Sequence, residues 1–293
     1  MKRIFLFIIT NLAVLVLLSL IVFVIEQVFG LRLPQGGLGG LLVLAAVFGF
    51  GGALISLALS KWTAKHMMGV RIIGAPQSEP EVWLVATVER LAAQAHIGMP
   101  EVGIFEAEEM NAFATGARRN AALVAVSTGL LHSMSRAQTE AVLGHEISHV
   151  ANGDMVTLAL LQGILNTFVI FLARIIGGLV DRVLLKNDRA ESGIGFFLTT
   201  LAAQIVLGLL ASVIVCWYSR RREFRADRGG ANLAGTGNMI GALEVLKRSQ
   251  GEPLPPQMRA FGINTGGSGG FMRLLMSHPP LDERIAALRG SSA

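Results

Sequence analysis

Long apolar stretches divide the chain, at residues 4–25, 38–59, 155–180 and 194–217. Each is long enough to cross a bilayer, which requires about 20 helical residues. The first follows Lys2 and Arg3, as a signal peptide would, but its apolar core is too long and no small-residue cleavage site follows it. We therefore expect a retained membrane anchor.

Two interpretations stay open for the third and fourth stretches. Arg174 lies inside the third stretch, and the loop that joins the two carries Arg182, Lys186 and Arg189. Charged residues are costly inside a bilayer. The pair either crosses the membrane or inserts shallowly beside a protein core.

The segments between the stretches predict a small folded unit. Short apolar runs separated by turn-forming or charged residues, at 102–105, 112–114 and 122–126, are typical of strands. We predict a mainly α fold with a small antiparallel β-sheet, accompanied by four membrane helices.

Capping signals predict two helices in the same region. Ser78 with Glu81 indicates the start of one helix, which ends before Gly98. Ser135 and Gln138 indicate the start of another at residue 136, which the Asn-Gly pair at 152–153 ends.

Composition and charge place the chain in a membrane and orient it. Hydrophobic residues make up 52% of the chain, charged residues 15%, and the mean hydropathy is +0.57. Basic residues flank the apolar stretches, so the positive-inside rule puts both termini and residues 61–154 in the cytoplasm. These flanks also explain the net charge of +5, so we expect no nucleic-acid partner.

These features predict four segments along the chain. Residues 1–66 form an N-terminal transmembrane hairpin and residues 155–217 a second membrane hairpin. Residues 67–154 and 218–293 are then the two parts of one cytoplasmic domain. The single Cys216 excludes an intrachain disulfide and a metal site built from thiolates.

The pentapeptide His145-Glu146-Ile147-Ser148-His149 carries the most specific chemistry. Two imidazoles at positions i and i+4 share one helical face and can bind zinc, and the glutamate between them suits a general base. The pattern lies on an amphipathic helix rather than inside an apolar stretch. We therefore expect hydrolysis at the cytoplasmic membrane surface, not within the bilayer.

A catalytic zinc ion needs a third protein ligand and one open position. A metzincin would place another histidine shortly after His149, but Val-Ala-Asn-Gly-Asp-Met follows. Glu223 is the best candidate, because a helical hairpin through residues 155–217 would return it to the same membrane surface. Asp227, one helical turn later, could orient a ligating histidine. Alternatively, Glu223 is only an acidic partner within an arginine-rich flank.

Four segments in this order make the chain resemble the HtpX family of bacterial heat-shock membrane proteases, relatives of the CAAX prenyl proteases. They are Asn-Ala-Phe-Ala-Thr-Gly at 111–116, the pentapeptide at 145–149, Arg-Glu-Phe-Arg-Ala-Asp at 222–227 and Ser-His-Pro-Pro-Leu-Asp-Glu-Arg at 277–284. The resemblance implies a gluzincin-type core, one Zn²⁺ per chain and endopeptidase activity. It also implies a place in the bacterial inner membrane and the removal of misfolded or damaged membrane proteins.

Further site residues follow from this interpretation. His278, with Arg284, is a candidate for stabilising the oxyanion, since the following prolines stiffen its loop; alternatively it is a turn histidine that only packs. Asn111, Ala112 and Phe113 are candidates for binding substrate by strand addition, although Asn111 would also suit an ordinary strand edge.

Two other function classes stay open. A membrane protein with a purely structural zinc site would need a fourth tight protein ligand. A transporter would need polar residues lining several apolar stretches, and only isolated ones such as Asn11 and Asn166 are present.

Overall fold

The computed structural model describes residues 37–183, 194–250 and 273–290. Its helices and strands, in chain order, are α1 Gly37–Met67, β1 Arg71–Ile72, α2 Glu79–Gln94, β2 Glu101–Phe105, β3 Ala112–Thr115, β4 Leu123–Ser127, α3 Thr128–Ser133, α4 Arg136–Asn152, α5 Asp154–Val183, α6 Ile194–Ala234, α7 Thr236–Gln250 and α8 Leu281–Gly290.

Three helices of the described residues are long and apolar enough to cross a membrane. They are Gly39–Met67, Asp154–Val183 and Ile194–Ala234, with hydropathies of 2.4, 2.0 and 2.2. They confirm the second, third and fourth apolar stretches as helices, while the first, at residues 4–25, lies outside the described residues. Apolar side chains exposed along α6, such as Leu209 and Leu210, are typical of a helix surrounded by lipid.

The sheet is mixed, so the prediction of a purely antiparallel sheet is wrong. Its strand order is β1-β2-β4-β3, with β2 and β4 parallel from the pair Glu101 and Leu123 to the pair Phe105 and Ser127. The chain leaves β2, forms β3 at the far edge and returns antiparallel as β4 between them. This crossover sets β2 and β4 in the same direction, which the apolar runs alone do not reveal.

Both faces of the central strands are covered. On one face, helices α2 and α4 contribute Leu84, Leu91, Leu143 and Ile147 to a core that also contains Val124. On the other, Ala64 and Val70 pack against Leu123 and Ala125. Burial on both faces explains why β4 is apolar at consecutive positions rather than at alternate ones.

The chain folds into two compact units. One contains the described residues up to Ile55 together with Ala159–Ile214, and Phe171 lies in its apolar core. The other contains Ser56–Leu158 and the described residues from Val215 onward, including the sheet. A second core of this unit joins α4, α7 and α8 through residues such as Val142, Leu243 and Leu288.

Candidate metal centre

Helix α4 places His145 and His149 on one face. Ser135 Oγ accepts a hydrogen bond from the Gln138 backbone N–H, and the Gln138 side chain accepts one from the Ser135 N–H, as the capping prediction requires. Gly153 ends the helix in the left-handed conformation, with φ of 66°. Because both ends are fixed locally, the sequence determines this helix and the shared face of its histidines.

Glu223 of α6 meets the two histidines. The His145 and His149 Nε2 atoms are 3.1 Å apart, and they lie 3.6 and 3.4 Å from the nearer Glu223 carboxylate oxygens. Ligands held about 2.0–2.1 Å from a tetrahedral metal ion are separated by about 3.4 Å. His145, His149 and Glu223 are all buried, and their spacing could hold a metal ion.

Unpaired atoms in this cluster also fit a metal ion. Glu223 Oε1 is buried, and no group of the described residues forms a hydrogen bond to it. Burial lowers the pKa of the His145 imidazolium, but the carboxylates of Asp227 and Glu223 outweigh it and raise that pKa to about 9. In the metal-free protein a proton on His145 therefore supplies part of the positive charge that the buried carboxylates need. A divalent cation would supply that charge in its place.

Close contact between α4 and α6 makes the cluster possible. A Cβ atom at Gly230 would lie 2.9 Å from the His145 backbone nitrogen, and one at Gly229 would lie 2.2 Å from Ser148 Oγ. Only glycine permits the two helix backbones to approach this closely. The sequence interpretation missed these glycines, although their position shortly after Glu223 and Asp227 could have indicated a close helix–helix contact.

Asp227 contacts His145 and is itself held by Arg284. Asp227 Oδ1 lies 2.9 Å from His145 Nδ1, the ring atom opposite the cluster. Arg284 forms two bonds to the carboxylate, from Nε at 2.7 Å and from Nη2 at 2.5 Å. Both side chains are buried, so Arg284 balances the charge of Asp227.

His149 has a comparable carboxylate partner that the sequence interpretation missed. Its Nδ1 lies 2.8 Å from Asp154 Oδ2, and Arg225 donates to Asp154 Oδ1 at 2.7 Å. Asp154 is the first residue of α5 and is fully buried. An aspartate directly after the helix that carries the ligands was a signal, but its position at the start of an apolar stretch suggested only a membrane flank.

His278 also reaches the cluster. Its Nδ1 lies 2.9 Å from Glu223 Oε2, and 62% of its side chain is exposed. Glu146 lies between the two histidines on α4 and is half-buried. The guanidinium of Arg284, which is predicted to act with His278, bonds to Asp227 and lies 3.8 Å from the Glu223 carboxylate.

Strand β3 lies beside this helix, at one end of the strand order. Ala112 and Ala114 pack against the core that contains Ile147, the α4 residue between the two histidines. Asn111 precedes the strand, is exposed, and its backbone N–H donates to Ser127 Oγ at 3.0 Å. Ala112 and Phe113 are half-buried. The structure thus brings residues 111–113 to an outer strand next to the metal-binding helix.

Comparisons with known proteins agree with this geometry. The profile of Peptidase family M48 matches residues 78–292. Protease HtpX of Alkalilimnicola ehrlichii is 61% identical over 99% of this chain and 98% of its own, and a Protease HtpX homolog of Thiobacillus denitrificans is 60% identical over 99% of each.

Among solved structures, the crystal structure of S. mikatae Ste24p matches with a TM-score of 0.63 and 18% identity, and this likeness concerns the fold alone. The match covers 84% of this chain and 58% of the length of Ste24p. The family match spans the residues of the metal cluster, and the similar proteases align over nearly their whole length. The chain therefore belongs to peptidase family M48 and is a metalloprotease of the HtpX group.

Proposed function

We propose that the protein is a zinc-dependent endopeptidase of the bacterial inner membrane that cleaves misfolded or damaged membrane proteins at the cytoplasmic face. The observation that carries this proposal is the buried convergence of His145, His149 and Glu223, with Glu146 on the same helix. Residues 67–154 and 218–293 would form the protease domain, and residues 1–66 and 155–217 the membrane hairpins.

The donor set favours zinc. Two imidazoles and one carboxylate are the ligands of many catalytic zinc sites, and three protein ligands leave one position open, as in a gluzincin-type core. When bound, the ion would supply Lewis-acid activation of water and of the scissile carbonyl. His145, His149 and Glu223 would hold it, while Asp227 and Asp154 would fix the orientation of the two rings.

Glu146 would move the proton. A half-buried carboxylate between the two histidines can accept a proton from the attacking water and then deliver it to the leaving amine. A structural metal site needs no such group, so the position of Glu146 favours hydrolysis over the structural alternative.

His278 would stabilise the developing negative charge on the carbonyl oxygen. Its hydrogen bond to Glu223 keeps the ring beside the metal ligands, and its exposure leaves it accessible to substrate. Arg284 would contribute indirectly, by holding Asp227 against His145.

Strand β3 would bind the substrate in an extended conformation. Ala112 and Phe113 belong to the outer strand beside α4, and Asn111 directly precedes it. Strand addition binds mainly through backbone groups and selects side chains only weakly. Weak side-chain selection suits unfolded polypeptides of many sequences. The three apolar helices favour membrane proteins as substrates, and the basic residues that flank the apolar stretches favour the cytoplasmic face.

The test is Glu146→Gln in purified, zinc-loaded protein, assayed on a quenched fluorescent unfolded polypeptide. The variant should bind one zinc ion per chain, and kcat should fall by about 10²–10⁴-fold because proton transfer is lost. Glu223→Ala serves as the metal control and should lose stoichiometric zinc while the protein still inserts into membranes. Full cleavage by Glu146→Gln would rule out hydrolysis at this site, and full zinc occupancy in Glu223→Ala would remove Glu223 from it.

A further inference from the structure

One face of α6 carries polar side chains that contact the C-terminal segment. Cys216, Arg220, Glu223 and Asp227 follow one another at spacings of four, three and four residues, which places them on one side of the helix. Glu223 and Asp227 already belong to the metal centre. Arg220 lies one helical turn before Glu223; the sequence interpretation counts it only among the basic residues that flank the fourth apolar stretch, and the proposed mechanism does not use it.

The first two residues of this face, Cys216 and Arg220, contact residues 273–276, and the two later ones contact residues further along the C-terminal segment. Cys216 Sγ lies 3.2 Å from the Leu275 carbonyl oxygen. Glu223 bonds to His278, and Asp227 to Arg284. Residues 273–284 therefore run beside α6 in the same general direction as the helix, and Arg220 contacts the first part of this segment.

Arg220 binds the backbone of this segment rather than its side chains. Its Nη1 lies 3.3, 3.1 and 2.6 Å from the carbonyl oxygens of Arg273, Leu274 and Met276. The segment ends in two prolines, which have no backbone N–H to donate, and α8 begins only at Leu281. Arg273 and Leu274 end a helical turn and Met276 lies outside regular structure, so these carbonyl groups need partners, and a guanidinium provides charge-assisted ones.

The position of His278 depends on this backbone. Its ring is 62% exposed, so side-chain packing does little to fix it, and its described hydrogen bond is to Glu223. Met276, two residues earlier, accepts the shortest of the Arg220 bonds. Loss of these bonds would free the segment on the N-terminal side of His278, while Arg284 would still hold the other side.

We propose that Arg220 is a positioning residue that holds the 273–276 backbone so that His278 faces the reacting carbonyl. The inference rests on the proposed role of His278 in stabilising the oxyanion. Arg220 itself contacts neither the metal ligands nor the substrate; it acts through three carbonyl groups.

The experiment compares Arg220→Gln with Arg221→Gln in the zinc-loaded full-length chain. Arg221 is the matched control, since it is exposed and lies over the Trp217 ring at 4.6 Å rather than on the C-terminal segment. Arg220→Gln should lower kcat on the fluorescent unfolded polypeptide by about 10- to 100-fold, because small misplacements of a catalytic group cost that much. KM should change less than about threefold and zinc should stay at one ion per chain, because neither β3 nor the ligands are touched.

A double-mutant cycle with His278→Ala tests whether Arg220 acts through His278. If Arg220 acts through His278, Arg220→Gln should lower kcat no further once His278 is absent. Additive losses in the double variant would overturn the inference, as would equal kcat values for Arg220→Gln and Arg221→Gln, or an unchanged kcat in His278→Ala. If Arg220→Gln does not fold, Arg220→Met replaces it in the same cycle, because methionine keeps a long unbranched side chain but has no group that can donate to the three carbonyls.

The two proposals fail separately. Cleavage by Glu146→Gln would overturn the hydrolytic function whatever Arg220 does. An inactive Glu146→Gln variant together with a fully active Arg220→Gln variant would overturn the positioning role alone.

Discussion

Replacing Gly230 with alanine should weaken metal binding, although it makes α6 a better helix. In a helix interior, alanine is more favourable than glycine by about 1 kcal/mol. Here, however, the new Cβ would lie 2.9 Å from the His145 nitrogen, 3.1 Å from the Ala141 carbonyl oxygen and 3.2 Å from the His145 Cα. All three atoms belong to the α4 backbone, so no rotamer change relieves the overlap.

The size of the effect follows from these distances. Ordinary contacts begin at about 3.4 Å, so the two helices must separate by about 0.5 Å at this point. Overpacking of this kind costs about 1–3 kcal/mol, which equals or exceeds the gain in helix propensity. Glu223 lies on the same helix and would move away from both histidines, whereas metal–ligand distances tolerate only about 0.2 Å. We expect zinc affinity to fall at least about tenfold, or about 1.4 kcal/mol.

The assay is a competition titration against a chromophoric zinc chelator, together with the thermal midpoint of the metal-free protein in detergent. Gly208→Ala is the matched control, because Gly208 lies in the same helix and an added Cβ would meet no atom within 4 Å. It should leave zinc affinity unchanged and should not lower the midpoint. A Gly230→Ala protein that binds zinc as tightly as the original and unfolds at a higher temperature would refute the argument from helix contact.

The carboxylates that contact the histidine Nδ1 atoms, those of Asp154 and Asp227, give two further predictions. Asp154→Asn should weaken zinc binding by about 10- to 100-fold, since Asp154 orients His149 at 2.8 Å; an unchanged dissociation constant would contradict that role. Asp227→Asn should lower the unfolding free energy by about 3–5 kcal/mol in the metal-free protein, because it removes the carboxylate charge that pairs most closely with the buried Arg284 guanidinium. Glu244→Gln is the control, because it removes an exposed ion pair with Arg289 that joins α7 to α8. Its unfolding free energy, measured with denaturant, should change by about 1 kcal/mol or less. Equal losses of unfolding free energy in both variants would mean that burial does not decide how much an ion pair stabilises the protein.

The helix that carries His145 and His149 was predictable because its signals are local. The two histidines share a face through their spacing of four residues, and Ser135, Gln138 and Gly153 mark the helix ends within one turn. Glu223 could also be reached from the sequence, since an apolar hairpin that crosses and returns brings its ends to one surface. The three apolar helices follow from hydropathy and length alone.

The direction of the sheet strands was not predictable in the same way. Apolar runs identify β2, β3 and β4, but neighbouring runs in sequence need not be neighbours in the sheet. The parallel pairing of β2 with β4 depends on where the chain places β3, and no residue within the strands encodes that position.

The partners of the metal ligands also depend on how the elements pack. Asp154, Arg284 and Arg220 contact groups five or more residues away in sequence, and the contacts of Arg284 and Arg220 exist only once α6 and the C-terminal segment are packed together. The sequence by itself determined the ligating residue types, the helix that carries two of them and the apolar helices, since each depends on residues within a few turns. Only the tertiary structure decided that Asp227 faces His145, because that contact depends on the close approach of α4 and α6 at Gly230.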